Sequence, residues 1–423
     1  MTLFEEIRPF NAPDERTRLD NLSQALGALP KPNPNRDVNN HIHTFYSFSP
    51  YSPTAAVYMA RRSGLITCGI MDHDTVAGAR EFIEAGRIAK VATTIGIECR
   101  AKFAAPGLNG HRINNPDQSN VIYMAMHGIP HDAIDEVDAF FAPYRAHRAE
   151  RNRAMVDNIN KLLAQYGLEL DYARDVESIS MYAAGGTVTE RHIAYALALK
   201  LLERFPERDA LITFLRETLG RPVSAKIENL LRDTDNPFIT YDLLGWIKSD
   251  LVSEFYIPAD AECPDVREVL ALSERVGAIS AYPYLGDVGD SVTGDKRAQK
   301  FEDDFLYVLL TQLKQLGFRA ITYMPSRNTF NQLERLRTLC DNLIFFQISG
   351  EDINSPRQQF ICEQQRNAVF NNLHDSTWAL IAHEWLSTQD RSRGLFSPES
   401  EAAERDLVKR TEHLAKLGKR MFL

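Results

Sequence analysis

Cysteine is scarce in this 423-residue chain, and the five present, at 68, 99, 263, 340 and 362, stand singly with no Cys-x-x-Cys pair. That spacing excludes a zinc ribbon and gives no disulfide framework, so a reducing cytoplasm is the expected compartment. No apolar run approaches the ~18 residues that a membrane span needs. The opening Met-Thr-Leu-Phe-Glu-Glu-Ile-Arg lacks the basic flank and apolar core of a secretory leader. Positive charge is also short: 48 Lys and Arg face 57 Asp and Glu, for a net charge of -9. With no basic stripe, a nucleic-acid partner is not expected. Hydrophobic residues at 44% and charged residues at 25% are ordinary for a folded globular chain.

What the sequence does hold is a series of ligand-type residues at the ends of strand-like runs. In Asn39-Asn-His41-Ile-His43-Thr44 two histidines flank one residue, so an extended backbone points both imidazoles to one side. Alone, such a pair is more often half-buried structure than a metal site. The balance shifts because Asp72-His73 follows the run 65–70, Glu98 follows 92–97, His127 follows 121–126, and Asp352 follows 343–348. Ligand-type side chains at the carboxyl ends of strands in an α/β layout converge on one face. A divalent-metal site is therefore expected.

The rest of the chain sorts around these runs. Residues 1–38 carry a short helical pattern from Leu19 to Leu29 and then Pro30-Lys-Pro-Asn-Pro-Asn35, which reads as an extended strap. Strand, loop and helix alternate over 39–131 and again over 276–360, in about seven strand runs. This predicts parallel pairing with crossover helices. Between them, 132–275 shows helical spacing and reads as an inserted helical unit. Within it Thr189 is a plausible N-cap, and the basic pair Arg191 and His192 at that helix start could hold an anion, although a plain helix start is the simpler account. The length 361–423 reads as outer packing helices, with His374, His383 and His413 structural or solvated.

These motifs resemble the PHP family, named for polymerase and histidinol phosphatase domains. The family's His-x-His-Thr-x-x-Ser stands as His41-Ile-His43-Thr44-Phe-Tyr-Ser47, its Asp-His as Asp72-His73 and its Gly-x-Glu as Gly96-Ile-Glu98. Its histidine after the fourth strand is matched by His127. The Thr-Arg-Pro-His-Ile-Ala of its small-molecule branch looks like Thr189-Glu-Arg191-His192-Ile193-Ala194, and its closing Gly-Ser-Asp-x-His like Gly350-Glu-Asp352-Ile-Asn354. The resemblance implies a distorted seven-stranded (β/α)7 barrel and a metal-dependent phosphoesterase. It departs at Ser49, Tyr282, Asn328 and Asn354, where the family has metal- or phosphate-handling side chains. By the same resemblance His41, His43, Glu98 and Asp352 surround one metal. A second would rest on Glu98, His127 and the position of Tyr282, and a third would keep only His73.

Nitrogen and carboxylate donors suit zinc, manganese or iron alike. One such ion lowers the pKa of water from ~15.7 towards ~7 and polarises a phosphoryl oxygen. The expected substrate is a small-molecule phosphate ester, with His127 and His73 available for proton transfer or a second ion. Arg100, Arg191, His192 and Arg327 are candidate phosphate clamps, Arg327 foremost because it follows a strand end. Two rivals stand beside this reading. One is a PHP-like protein whose degenerate site binds a ligand or partner with little hydrolysis; the other is a metal hydrolase of carbon-nitrogen or ester bonds. The sequence leaves the oligomeric state open.

Overall fold

The computed structural model describes residues 1–29, 36–287 and 300–422. The strap expected over Pro30–Asn35 lies outside them. The rest of the N-terminal stretch is helical, and Ile7, Phe10 and Leu22 join the main core. There Arg18 donates to Glu81 at 2.6 and 2.8 Å.

Six strands, β1 (Thr67–His73), β2 (Ala92–Lys102), β3 (Val121–His127), β4 (Ile279–Pro283), β5 (Ala320–Tyr323) and β6 (Phe346–Ser349), form one sheet in sequential order. Three neighbouring pairs are parallel, but β3 runs antiparallel to both β2 and β4. This corrects the expectation of parallel pairing throughout. The link from β2 to β3 is a loop over 103–120 with no helix in it. A parallel neighbour needs a crossover, usually helical, whereas a loop lets the chain turn straight back.

The expected seven strands are six regular strands plus a remnant. Ile42 forms single parallel bridges to Ile70 of β1 and to Ile353 just past β6. Around it, Ile42 N donates to Gly69 O at 2.9 Å, Met71 N to Ile42 O at 3.0 Å, and His43 N to Ile353 O at 2.9 Å. The segment thus ties the first edge of the curled sheet to the last. It stops being strand-like at Thr44, where the backbone turns.

Side chains alternate across the sheet as the strand period of two demands. Cys68, Ile70, Ile95, Ile97, Ile122 and Met124 pack outward with Val57, Phe82 and Leu272 of the surrounding helices. On the inward side Met71, Ala92, Ala125, Ala281 and Ala320, with Ile279, Phe346 and Ile348, pack instead with Trp378, Leu380 and Ile381. Those three belong to the helix Asn371–Gln389, which plugs the inner face and overturns the expectation of an outer packing helix. The inward alanines leave the room it fills. The helix Leu407–Phe422 covers the plug so closely that a Cβ at Gly418 would lie 2.4 Å from the Trp378 carbonyl oxygen. Trp378→Ala should therefore cost about 3–5 kcal/mol, read as a lowered midpoint in chemical denaturation; an unshifted midpoint would show the plug to be dispensable.

The inserted stretch opens with the 30-residue helix Ile134–Leu163 and gathers a second apolar cluster, including Met155, Ile159, Leu197, Leu201, Trp246 and Phe255. Its last helix, Val266–Val276, returns to the main core through Val266, Val269 and Leu272. No helix among the described residues is long and apolar enough to cross a membrane.

Candidate metal centre

The turn after Ile42 is organised by Asp72, at the end of β1. Its carboxylate accepts from Thr44 N at 2.7 Å, Thr44 Oγ1 at 2.6 Å and Ser47 Oγ at 2.6 Å. Burial raises its pKa, against the pull of His43 and of these donors. Because Ser47 spends its proton on Asp72, its oxygen is left to accept from His43 Nδ1, 3.3 Å away. With the His43 proton on Nδ1, that contact is a hydrogen bond and Nε2 presents its lone pair, the form a metal ligand requires. The sequence reading missed this role of Asp72, although Thr44-x-x-Ser47 beside Asp-His supplied the donors and the acceptor.

Around His43 Nε2 the other donors gather. His41 Nε2 lies 3.2 Å from His43 Nε2, and Asp352 Oδ1 lies 3.2 Å from it on another side. Glu98 Oε2 is 3.7 Å from His41 Nε2, 4.0 Å from His43 Nε2 and 3.3 Å from His73 Nδ1. Ligands held about 2.1 Å from one tetrahedral ion sit about 3.4 Å apart, so these spacings match a coordination shell. Two trios meet the requirement among the described residues, His41 with His43 and Asp352, and His43 with His73 and Glu98. His43 Nε2 has one lone pair, so the trios cannot each hold an ion through it. Two buried acceptor groups aimed at each other fit a shared cation better than they fit each other. The residues present therefore suit a single divalent ion.

Electrostatics agrees. Burial works against a charged His41, but Glu98 and then Asp352 outweigh it and raise its pKa. Burial likewise opposes ionised Asp352, yet its contact with His43 and the fields of His41 and Arg191 hold it well below the usual carboxylate range. His73 is pushed well below the ordinary imidazole value by burial and by neighbouring His43. His127 is lowered to about 3 by burial and by His41, and its buried Nε2 has no hydrogen-bond partner among the described residues. It stands opposite Gly96, two residues before Glu98 on β2, which places it beside the cluster.

Two of the four substituted positions now have an explanation. Asn354 donates its amide to Asp352 Oδ1 at 2.5 Å, so it orients a ligand. Tyr282 faces the other way. Its neighbour Ala281 is inward, whereas Tyr282 is buried in the outer core and donates to Glu302 at 3.1 Å. The expectation that Tyr282 occupies a second-metal position is corrected: its side chain is on the wrong face of β4. Asn328 donates to the Leu285 carbonyl at 2.9 Å, and the Ser49 hydroxyl is buried without a partner among the described residues.

The four expected clamps separate. Arg100 is fully committed, with Nη2 at 2.7 Å from Glu190 and 2.8 Å from Glu262, which corrects its assignment to phosphate. Arg327 donates through Nε to the Leu285 carbonyl at 3.1 Å. His192 Nδ1 accepts from Thr189 N at 3.0 Å, closing the cap of the helix Glu190–Arg204. Burial and Arg148 lower it to about 3, so it is neutral and carries no charge for an anion. Only Arg191 projects its field onto Asp352.

Residues 39–218 match the family model of the PHP domain. No curated protein matches the chain. Among solved structures, a protein of Bifidobacterium adolescentis ATCC 15703, provisionally named a metal-dependent phosphoesterase, superposes with a TM-score of 0.50 at 20% identity, covering 79% of this chain and 96% of its own. An amidohydrolase from Chromobacterium violaceum, solved with sulfate and no metal, gives 0.49 at 15% identity over 77% and 90%. At 20% identity the first likeness is one of fold.

Proposed function

From the match of residues 39–218 to the PHP-domain model, we propose that this chain is a metal-dependent hydrolase acting on the phosphate ester of a small molecule. The observation that carries this reading is the approach of His41, Asp352 and Glu98 to His43 Nε2, at 3.2, 3.2 and 4.0 Å. His41, His43, Glu98 and Asp352 would hold the ion. When bound, it would supply a Lewis acid for a phosphoryl oxygen and a more acidic water.

The chain's own residues do the rest. Asn354 fixes the direction of Asp352 by its amide. His73, held neutral by burial and His43, places an uncharged ring nitrogen 3.3 Å from Glu98. Arg191 stands at the start of the helix Glu190–Arg204, near enough to influence Asp352, and offers a guanidinium to phosphate oxygens. Arg191→Ala should then lower kcat/KM for a phosphate monoester by about 10–100-fold, mostly through KM, as loss of a charged hydrogen bond predicts. Steady-state kinetics, with Arg191→Lys recovering part of the loss, checks it; an unchanged KM would remove Arg191 from the site.

Metal analysis of the purified chain with a screen of phosphate monoesters tests the whole reading. Bound metal without turnover of any ester would favour the rival, a PHP-like binder with little hydrolysis. The outward Tyr282 supports that rival, because it leaves the second-metal position without a side chain.

A further inference from the structure

Five non-glycine residues among those described have positive φ, and two of them directly follow residues of the candidate centre. Phe48, at φ 110°, follows Ser47; Asp74, at φ 55°, follows His73. A phenylalanine in that region is strained and stays there only when its surroundings force it. In both places the force comes from the inserted helical unit.

The Phe48 ring is buried in that unit's apolar cluster, edge-on to His192 with centroids 5.0 Å apart and to Tyr195 at 5.7 Å. Two residues earlier, the Tyr46 carbonyl accepts from Thr187 N at 2.8 Å. Asp74 is gripped by the helix Ile134–Leu163: Arg148 Nη1 lies 2.5 Å from its carboxylate, and Arg145 Nη1 donates to its carbonyl at 2.9 Å. Arg148 is braced in turn by Glu190 at 2.7 Å. Across the sheet, Asp74 N donates to the Glu98 carbonyl at 2.9 Å.

We propose that the helical unit is a clamp that sets the ion-binding geometry, with Phe48 and Arg148 as its positioning residues. Released, Phe48 and Asp74 would relax to negative φ. The first relaxation rotates Ser47 away from His43 Nδ1, and the second turns His73 away from Glu98. The inference rests on the metal reading of the site but not on hydrolysis.

The test uses the full chain stripped with a chelator and titrated with cobalt(II), followed by its visible absorption and by calorimetry. Arg148→Met should weaken cobalt binding about 10–100-fold and alter the spectrum, the scale of losing a residue that orients a ligand. Adding Asp74→Gly to Arg148→Met should recover most of that affinity, because glycine adopts φ 55° without a grip. Phe48 gives an independent pair. Phe48→Ala and Phe48→Gly both lose the ring, but only glycine adopts φ 110° without a grip, so the glycine variant should bind cobalt more tightly. If the parent binds cobalt while Arg148→Met matches it in affinity and spectrum, the inference falls and the metal reading stands. It falls equally if Phe48→Gly binds no better than Phe48→Ala. A parent chain that takes up no cobalt overturns the metal reading itself.

Discussion

His43→Ala is expected to yield a folded chain that retains no metal through purification and releases no phosphate from monoesters that the parent hydrolyses. His43 is the one residue common to both donor trios, and it is 1% exposed, so no solvent group can easily replace it. A Lewis acid worth ~4 kcal/mol in the transition state corresponds to about 10³ in rate, and a fall of at least about that size is predicted. Folding should survive, because Asp72 keeps its two bonds to Thr44 and its bond to Ser47. Elemental analysis and a phosphate-release assay on the same preparation check both halves. Full metal content with undiminished turnover would remove the cluster from the chemistry.

The second large effect is expected from a residue with no side chain. At Gly350 an added Cβ would lie 2.5 Å from the His41 Cβ and 3.0 Å from its backbone nitrogen. Gly350 is absent from the residues of positive φ, so alanine is barred there by space alone. In Gly350→Ala the neighbour that must move is the His41 backbone, and a donor displaced by a few tenths of an ångström spoils a coordination shell. Metal affinity should drop about 10–100-fold, as for other changes that misdirect a ligand. Thermal stability should fall by about 1–3 kcal/mol, the usual range for overpacking. A calorimetric titration with zinc decides it: affinity equal to the parent's would mean that His41 is not a donor.

Much of the candidate centre was legible in the sequence because its parts are short-range patterns. His41-x-His43 and Asp72-His73 need only a local extended backbone, and Glu98 and Asp352 declared themselves by following strand runs. Even so, Glu98 lies in the middle of β2 and not at its end, since that strand continues to Lys102. What failed needed knowledge of partners. The face on which Tyr282 falls depends on the pairing of Ala281 with Ala125, a register in which a one-residue slip reverses every side chain. Arg100 looked like an anion clamp because Glu190 and Glu262, which occupy it, are 90 and 162 residues away in sequence. The buried role of the helix Asn371–Gln389 left a faint trace, in alanines at inward strand positions, but that trace is intelligible only once inward is known.

The two bridges at Ile42 have a mechanical consequence. The sheet's circle is closed there by a handful of backbone hydrogen bonds, and the two histidines beside the seam face an aspartate from the far end of the ring and a glutamate from its second strand. A cation gripped by all of them would rivet the seam. It would join stretches of chain separated by most of the polypeptide, where a crosslink removes most freedom from the unfolded state. Loss of the ion would then loosen the whole hoop, beginning at its weakest stitch.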